Sequence, residues 1–236
     1  MTTIKENPFI EITRHTNRLL KPIFRRSWVV LLVTMLGVEL FHQYFTYLMR
    51  VASEHSSAAR IPGAIGDVFV SLLEFVVLIM LIPQRALEID KNQEPGSFWQ
   101  FNLLHFKALT IEGIRAFSVC LLWLMLLIIP GVVKYVRYFF VPYIVVANPE
   151  YQAGRVDALK ESDRLVRGIS WPLFIIILAL TGVEFWQQSL REKHYFINEP
   201  FWSMIETVGF FAVNYYTNVW LFVLYQHRAK RLPKGA

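Results

Sequence analysis

Two stretches without a charged residue decide the class of this protein. Residues 116–133 read AFSVCLLWLMLLIIPGVV and residues 207–226 read TVGFFAVNYYTNVWLFVLYQ, and neither contains Asp, Glu, Lys or Arg. A helix needs about 20 mainly apolar residues to cross the roughly 30 Å hydrocarbon core of a bilayer. Both stretches meet this requirement, so they predict membrane-spanning helices.

The composition of the whole chain agrees with this interpretation. Its 236 residues are 55% hydrophobic and only 18% charged, and the mean hydropathy is +0.39. Charged residues are too scarce to cover the surface of an ordinary soluble domain. Six spans of about 20 residues would also occupy roughly half of the chain, which leaves no room for a separate catalytic domain.

Apolar segments along the chain predict six spans, at about 28–48, 65–82, 114–129, 132–146, 171–186 and 204–225. We therefore expect an all-α, polytopic bundle of transmembrane helices. The segment 132–146 is the weakest, because it is short, carries Lys134 and Arg137, and follows its predecessor after only Pro130-Gly131. The sequence favours six full spans, and a re-entrant hairpin is the alternative for this part of the chain.

The Lys and Arg residues between the spans predict the orientation. The N-terminal arm, the second and fourth connections and the C-terminal tail hold Lys5, Arg14, Arg18, Lys21, Arg25, Arg26, Arg85, Lys91, Lys107, Arg155, Lys160, Arg164, Arg167, Arg228, Lys230, Arg231 and Lys234. The other side holds only Arg50, Arg60, Arg191 and Lys193. Because cytoplasmic loops are enriched in these residues, both termini are predicted to be cytoplasmic. The net charge of +6 then reflects orientation, and no nucleic-acid partner is expected.

Three regions follow from the spans: a basic amphipathic arm at 1–27, a membrane domain at 28–226 and a basic tail at 227–236. The polar and basic arm is unlike a cleavable signal peptide, so we expect it to be retained in the cytoplasm. Apolar and basic residues are mixed in the arm and again at about 98–107. Each of these two segments is predicted either to lie on anionic headgroups or to pack against the bundle.

The most distinctive stretch runs from Ser97 to Gly168. An apolar run ends in Ile128-Ile129-Pro130-Gly131, a helix with Arg137 follows, and after Asn148-Pro149-Glu150-Tyr151 comes Asp157-Ala158-Leu159-Lys160-Glu161-Ser162. This order resembles the YciC-like bacterial inner-membrane proteins and the membrane domain of some glycerophosphodiester phosphodiesterases. The resemblance implies a helical domain of a bacterial inner membrane. It transfers no catalytic residue, because in those phosphodiesterases the chemistry belongs to a separate soluble barrel.

Two local structures are predicted within this stretch. Pro130 lacks an N–H and Gly131 tolerates unusual dihedral angles, so this pair is expected to end one helix and turn the chain near the outer interface. Between 155 and 168 the apolar residues share one side of a helix that ends at Gly168. Its charged residues predict an interfacial cytoplasmic helix with pairs three or four residues apart, namely Asp157 with Lys160, Glu161 with Arg164, and Asp163 with Arg167.

Charged and polar residues within the spans form the candidate functional site. A charge at the bilayer centre costs at least about 2.5–3.5 kcal/mol, so such residues are usually paired or functional. The candidates are Glu39, His42, Asp67, Glu74, Lys134 and Arg137. Asp67, Lys134 and Arg137 are predicted in the outer half of the bilayer, and Glu39 and Glu74 nearer its middle. Opposite charges are expected to pair at matched depth.

Three interpretations of these candidates remain open. They form a structural polar network, or Glu39, His42 and Glu74 bind or relay a cation or proton, or Lys134 and Arg137 face the phosphate of a lipid headgroup. The sequence has no HExxH, glycine-rich phosphate loop or GxSxG motif. The single Cys120 and the six dispersed histidines predict no metal site, and no cofactor or catalytic residue is expected.

The sequence therefore predicts a non-enzymatic protein of the bacterial inner membrane. Its function would be that of an accessory, assembly or membrane-organising component. Its expected partners are the lipid bilayer and either another protein or a second copy of the chain. The alternative is a transporter or channel for a small ion or an amphiphilic lipid that uses the charges within the spans.

Overall fold

A computed structural model describes residues 8–53, 61–193 and 199–232. The helices in this part of the chain are α1 (Pro8–Ser53), α2 (Ile61–Asp90), α3 (Phe98–Leu126), α4 (Ile128–Arg137), α5 (Val141–Ala147), α6 (Pro149–Gln152), α7 (Ala158–Val166), α8 (Ser170–Lys193) and α9 (Pro200–Arg231). These ranges contain no β-strand, and the predicted all-α class is confirmed. Of the residues that predict the orientation, Lys5, Arg60 and Lys234 lie outside the described residues.

Six helical segments within the described ranges are long and apolar enough to cross a membrane. They are Pro8–Phe45, Ile61–Asp90, Phe98–Leu126, Ile128–Ala147, Ser170–Gln187 and Phe201–Arg231. The fourth differs from the others because it combines α4 and α5, which are separated between Arg137 and Val141. The chain is thus a multi-pass membrane protein with one interrupted segment.

The chain divides into two compact units. Unit 1 consists of Met1–Ile23, Ile79–Ala179 and Asn218–Ala236, and unit 2 consists of Phe24–Leu78 and Leu180–Thr217. Four helices, α1, α2, α8 and α9, contribute residues to both units.

Unit 1 has an apolar core in which helices are enclosed on all sides. Successive residues are buried along 79–82 in α2, 143–146 in α5 and 219–225 in α9. A helix whose apolar side chains point in every direction must be surrounded, and in unit 1 other protein segments surround it. Phe140 packs against Tyr143 and Tyr143 against Phe222, with ring centroids 6.3 and 5.8 Å apart.

The predicted N-terminal arm is continuous with the first span, since α1 runs without a break from Pro8 to Ser53. Ile12, Thr16, Leu19 and Ile23 are buried and form one stripe along it. Of the two alternatives for the arm, this stripe corresponds to packing against other helices. The guanidinium of Arg231 lies 2.9 Å from the carboxylate of Glu11, which ties the start of α1 to the end of α9.

The chain reverses between α3 and α4 at Leu127, and not at Pro130-Gly131 as the sequence predicted. Leu127 is extended (φ −156°, ψ 130°), and α4 begins at the next residue. Pro130 lies in the first turn of α4, where a helix leaves its N–H groups unpaired and proline is therefore tolerated. Gly131 has a different role from the predicted one: a Cβ at this position would lie 2.7 Å from the Cα of Leu124, so glycine allows α3 and α4 to approach closely.

Helix α7 has the predicted amphipathic character. Ala158, Leu159, Leu165 and Val166 are buried, and Gly168 after the helix has a φ of +88°, which favours glycine. At the C-terminal end, the guanidinium of Arg228 donates hydrogen bonds to the carbonyl oxygens of residues 165 and 167, at 3.0 and 2.7 Å. These bonds satisfy carbonyl groups that a helix end leaves without partners.

Unit 2 buries its helices along narrow stripes. In α1, Val38, Glu39, His42 and Gln43 are buried, whereas the neighbouring Leu40 is 63% exposed. Aromatic contacts support the packing of this unit, including Trp186 of α8 against Phe210 of α9 with centroids 5.9 Å apart.

Candidate functional site: buried polar clusters

Unit 2 contains a small polar cluster that includes one predicted candidate. Glu39 is 8% exposed, and its Oε1 accepts a hydrogen bond of 2.8 Å from Nε2 of Gln43, one turn later on α1. The same amide nitrogen lies 3.4 Å from Oγ of Ser203 on α9. We call Glu39, Gln43 and Ser203 the Glu39 cluster. Gln187, Glu206, Thr207 and Phe210 also lie around Glu39 and Ser203, and the gap between these side chains has essentially no volume accessible to water.

The other candidates of unit 2 have different surroundings. His42 is 3% exposed and lies on the same side of α1 as Glu39 and Gln43, as the spacing of these residues requires. Glu74 of α2 is half-buried and interacts electrostatically with Glu184 of α8. Asp67 belongs to α2, but its side chain lies outside the described part of the structure.

Lys134 and Arg137 belong to unit 1, whereas Glu39, His42 and Glu74 belong to unit 2. Nζ of Lys134 lies 5.6 Å from the ring centroid of Tyr138, a cation–π geometry. Nη1 of Arg137 lies 3.3 Å from Oδ1 of Asp163 on α7. Arg137 was predicted in the outer half of the bilayer and α7 on the cytoplasmic side, and this ion pair is incompatible with that assignment.

A second contact joins α7 to the end of α4. Oγ of Ser162 donates a 2.7 Å hydrogen bond to the carbonyl oxygen of Arg137 and accepts a 3.1 Å bond from the N–H of Phe140. Both backbone groups belong to the interruption between α4 and α5, where the regular helical bonds end. Ser162 is fully buried, and its hydroxyl group therefore stabilises this interruption.

Four residues that connect α3 to α6 and α7 form a network, which we call the Arg115 network: Glu112, Arg115, Tyr151 and Asp157. Nη1 of Arg115 lies 2.7 Å from the carboxylate of Asp157 and 3.3 Å from that of Glu112. The hydroxyl group of Tyr151 donates to Oε1 of Glu112 at 3.4 Å. This network fastens the middle of α3 to the start of α7.

Asp157 also caps α7, because its Oδ1 accepts hydrogen bonds of 3.0 Å from the N–H groups of Leu159 and Lys160. Partial burial acts to raise the pKa of this carboxyl group, but the N–H of Lys160 and the guanidinium of Arg115 hold that pKa below its ordinary value. The predicted pair of Asp157 with Lys160 is thus replaced by a cap and by the Arg115 ion pair.

Two other predicted pairs of α7 are confirmed. Arg164 lies 2.6 Å from Glu161, and Arg167 lies 3.2 Å from Asp163. In the adjoining network, burial, followed by the charge of Glu112, raises the pKa of the Tyr151 hydroxyl group further above neutrality.

His105 makes a neighbouring contact between α3 and α6. Its Nδ1 lies 2.9 Å from the carbonyl oxygen of Phe101, and its Nε2 lies 3.2 Å from Nε2 of Gln152. A carbonyl accepts and an amide nitrogen donates, so these contacts assign the tautomer that carries its proton on Nδ1. His105 is therefore a structural bridge in this arrangement.

The connection between α2 and α3 is held by what we call the Glu88 network: Gln84, Arg85, Glu88 and Gly96. Nη1 of Arg85 donates to Glu88 Oε2 at 2.8 Å and to the carbonyl oxygen of Gly96 at 3.1 Å. Oε1 of Glu88 accepts from the amide of Gln84 and from the N–H of Gly96, both at 3.0 Å. Arg85 and Glu88 are 5% and 9% exposed, so this is a buried ion pair.

Unit 1 also has a cleft of about 1230 Å³ beside α7, which we call the charged cleft. Its charged lining residues have both signs: Glu150, Arg155, Asp157, Lys160, Glu161, Asp163, Arg164, Arg167 and Lys230. Several of them pair with each other, as in the 2.7 Å contact of Arg155 with Glu150. The lining therefore presents alternating charges rather than a uniform basic or acidic surface.

The Arg115 and Glu88 networks were missed by sequence reasoning. Arg85 with Glu88, and Glu112 with Arg115, are each three residues apart on a helix, and that spacing was the available signal. In the ranges described, no three or more His, Cys, Asp or Glu side chains are placed to hold a metal ion.

Comparison with protein-family models, curated proteins and solved structures finds no match to this chain. The resemblance of residues 97–168 to the YciC-like group therefore stays a prediction.

Proposed function

We propose that this chain is a non-enzymatic protein of the bacterial inner membrane that acts as an accessory, assembly or membrane-organising component. The observation that carries the proposal is the pairing of carboxylates with arginines in unit 1. The carboxylates concerned are those of Glu88, Glu112, Asp157, Glu161 and Asp163. Each pair fixes one helix, or one helix to its neighbour, which is the behaviour of a structural network.

The bacterial inner membrane is supported by the sequence alone. The resemblance of residues 97–168 implies it, and the excess of Lys and Arg at both termini supports a cytoplasmic location for both ends. Its partners in this proposal are the surrounding lipid and either another membrane protein or a second copy of the chain.

The test is purification from native membranes, in polymer-bounded lipid discs, followed by mass spectrometry of what stays bound. We expect a protein partner or a second copy at fixed stoichiometry. The Arg115→Ala variant should lose both thermal stability and this partner. Arg155→Ala, which removes an exposed ion pair, should retain both and is the matched control. A chain purified alone, with a defined ion or lipid and no protein partner, would contradict the proposal.

A second candidate function, a transporter or channel for a small ion, is favoured by the Glu39 cluster. A carboxylate buried within a candidate span, with a hydroxyl group and an amide nearby, is an arrangement that can take up a cation or a proton.

Flux measured with the purified chain in proteoliposomes separates the two candidates. If Glu39 lines a path, Glu39→Gln abolishes the flux of protons or monovalent cations and leaves the melting temperature unchanged. Glu94→Gln, at an exposed glutamate before α3, serves as the control. If the cluster is structural, the wild-type chain carries no flux, and Glu39→Gln changes only stability.

A further inference from the structure

We infer that the hairpin of α3 and α4 enters only one leaflet of the bilayer and returns to the side it came from. In this arrangement α1, α2, α8 and α9 cross the membrane, and the partner of the hairpin is the acyl chains of a single leaflet. The inference concerns topology; its labelling test uses the membrane and the orientation given under the proposed function, and its quenching test does not.

Both legs of the hairpin are fastened to the same helix. Arg115, on the α3 leg, lies 2.7 Å from Asp157 at the start of α7, and Arg137, at the end of the α4 leg, lies 3.3 Å from Asp163. Asp157 and Asp163 are separated by about 9 Å along the helix axis, at about 1.5 Å per residue. The anchor points of the two legs therefore differ in depth by at most about 9 Å, far less than the roughly 30 Å thickness of the hydrocarbon core.

That level lies outside the hydrocarbon core. Lys160 is exposed on α7, Arg167 is exposed directly after it, and Gly154 and Arg155 are exposed just before it. A charged side chain at the bilayer centre costs at least about 2.5–3.5 kcal/mol, and exposed charges in such number exclude α7 from the acyl chains. The base of the hairpin is therefore at a membrane–water interface.

The legs are too short to reach the opposite interface from this base. At about 1.5 Å per residue, α3 extends about 15 Å from Ala116 to its end at Leu126, and α4 as a whole extends about 15 Å. The hydrocarbon core is roughly 30 Å thick, so even legs parallel to the membrane normal would bring the tip no deeper than about its middle.

The chemistry of the tip agrees with that depth. Met125, Leu126, Leu127, Ile128 and Ile129 are 63–80% exposed, and none carries a polar side chain. A connection at the outer surface would place these five residues in water or among headgroups, where exposed apolar area is unfavourable by about 25 cal/mol per Å². Acyl chains are the surroundings that such a tip requires.

The first half of α3 completes the membrane-facing surface. Trp99, Leu103, Leu104 and Phe106 are 54–78% exposed, whereas His105 and Leu109 are buried against unit 1. A row of large apolar and aromatic side chains beside an exposed Lys107 is typical of a helix at the headgroup level. Because α3 is one continuous helix, we place it oblique to the membrane plane, with its start at the headgroup level and its end within the leaflet.

The distribution of Lys and Arg permits this topology. Replacing two crossings by one re-entrant hairpin leaves every other connection on its previous side, so the orientation predicted from loop charges is unchanged. The two topologies differ in only one place, the location of the tip.

Cysteine labelling locates the tip directly. In a Cys120→Ser background, single cysteines are introduced as Ile128→Cys at the tip, Glu199→Cys for the predicted outer side and Lys91→Cys for the predicted inner side. All three positions are exposed. In spheroplasts, a membrane-impermeant maleimide should label only Glu199→Cys; after permeabilisation, it should also label Lys91→Cys but leave Ile128→Cys near background. Labelling of Ile128→Cys from outside, at the level of Glu199→Cys, overturns the inference.

Depth-dependent quenching then distinguishes a tip in acyl chains from a tip that is merely shielded. A small fluorophore on Ile128→Cys, in vesicles of the purified chain, should be quenched more by lipids with a nitroxide on the acyl chain than by lipids with a nitroxide at the headgroup. A fluorophore on Leu103→Cys should be quenched most by a nitroxide near the headgroup. Strongest headgroup quenching at position 128, or no quenching because a second copy covers the tip, overturns the inference. Labelled variants are compared with the wild type by melting temperature, so that a misfolded variant is replaced by the neighbouring Leu126→Cys.

Discussion

Units 1 and 2 differ in how their helices are buried. In unit 1, successive residues of α5 and of the end of α9 are covered by protein, and Ile144, Phe140 and Phe222 are fully buried. In unit 2, α1 buries a stripe that includes Val38 and His42 and exposes Leu40 beside it. Unit 1 is thus stabilised by an enclosed core, as in a water-soluble protein, whereas the helices of unit 2 leave apolar sides exposed, as helices that cross a bilayer do.

The largest expected effect comes from breaking the Glu88 network in unit 1. Arg85→Ala leaves the Glu88 carboxylate buried without its guanidinium partner, and the loss of one member of a buried ion pair costs about 3–5 kcal/mol. We expect a large fall in the melting temperature of the purified protein. Arg155→Ala removes an exposed pair, worth about 0–1 kcal/mol, and is the control. Equal effects of the two substitutions would show that the Glu88 network is not buried as described.

The second-largest expected effect follows from the difference in side-chain burial between units 1 and 2. Ile144→Ala removes a side chain from the centre of unit 1 and should cost about 2–5 kcal/mol. Leu40→Ala in unit 2 removes a side chain that is 63% exposed, and its cost should be within about 0.5 kcal/mol. Unfolding in mixed detergent micelles measures both. Similar losses at the two positions would mean that both units depend equally on packing within the chain.

Much of the fold could be predicted because the hydropathy of a segment shows whether its side chains must be removed from water. The all-α class, six apolar helices and the amphipathic α7 follow from composition and period. The enclosed core of unit 1 could not be predicted in this way. Residues 79–82 and 219–225 are as apolar as a span, and hydropathy does not distinguish cover by protein from cover by lipid.

The candidate site was harder to predict because partners of charged residues are set by tertiary structure. Arg137 was expected to meet an acidic residue of another span, but its partner Asp163 belongs to α7, which the sequence placed on the opposite side. The turn was expected at Pro130-Gly131 because these residues break helices, yet Pro130 lies where a helix tolerates it. Pairs within one helix, such as Glu161 with Arg164, were predictable because their spacing alone brings them together.

The close approach of α3 and α4 gives a smaller effect. A methyl group at Gly131 would meet Leu124, so Gly131→Ala should force the legs of the hairpin apart and cost about 1–3 kcal/mol. Gly113, in the interior of α3, has nothing within 4 Å of an added Cβ, and Gly113→Ala should be stabilising by about 0.5–1 kcal/mol. Opposite signs for the same substitution, measured by melting temperature, are the expected result. A gain in stability at both positions would contradict the tight contact.

The smallest effect concerns pH and the Arg115 network. In the folded chain the pKa of Asp157 is lowered below 3.8, so its charge contributes stability above pH 3.8 that is lost as the pH falls through the folded-state pKa. Asp157→Asn keeps an oxygen that can cap α7 but removes the charge paired with Arg115. The melting temperature of the wild type should therefore exceed that of the variant at neutral pH, and the difference should shrink as the pH falls below 3.8. Glu94→Gln, at an exposed carboxylate before α3, should instead follow the wild type throughout. A difference between wild type and Asp157→Asn that does not change with pH would assign the whole contribution of Asp157 to its hydrogen bonds at the start of α7, and none to its ion pair with α3.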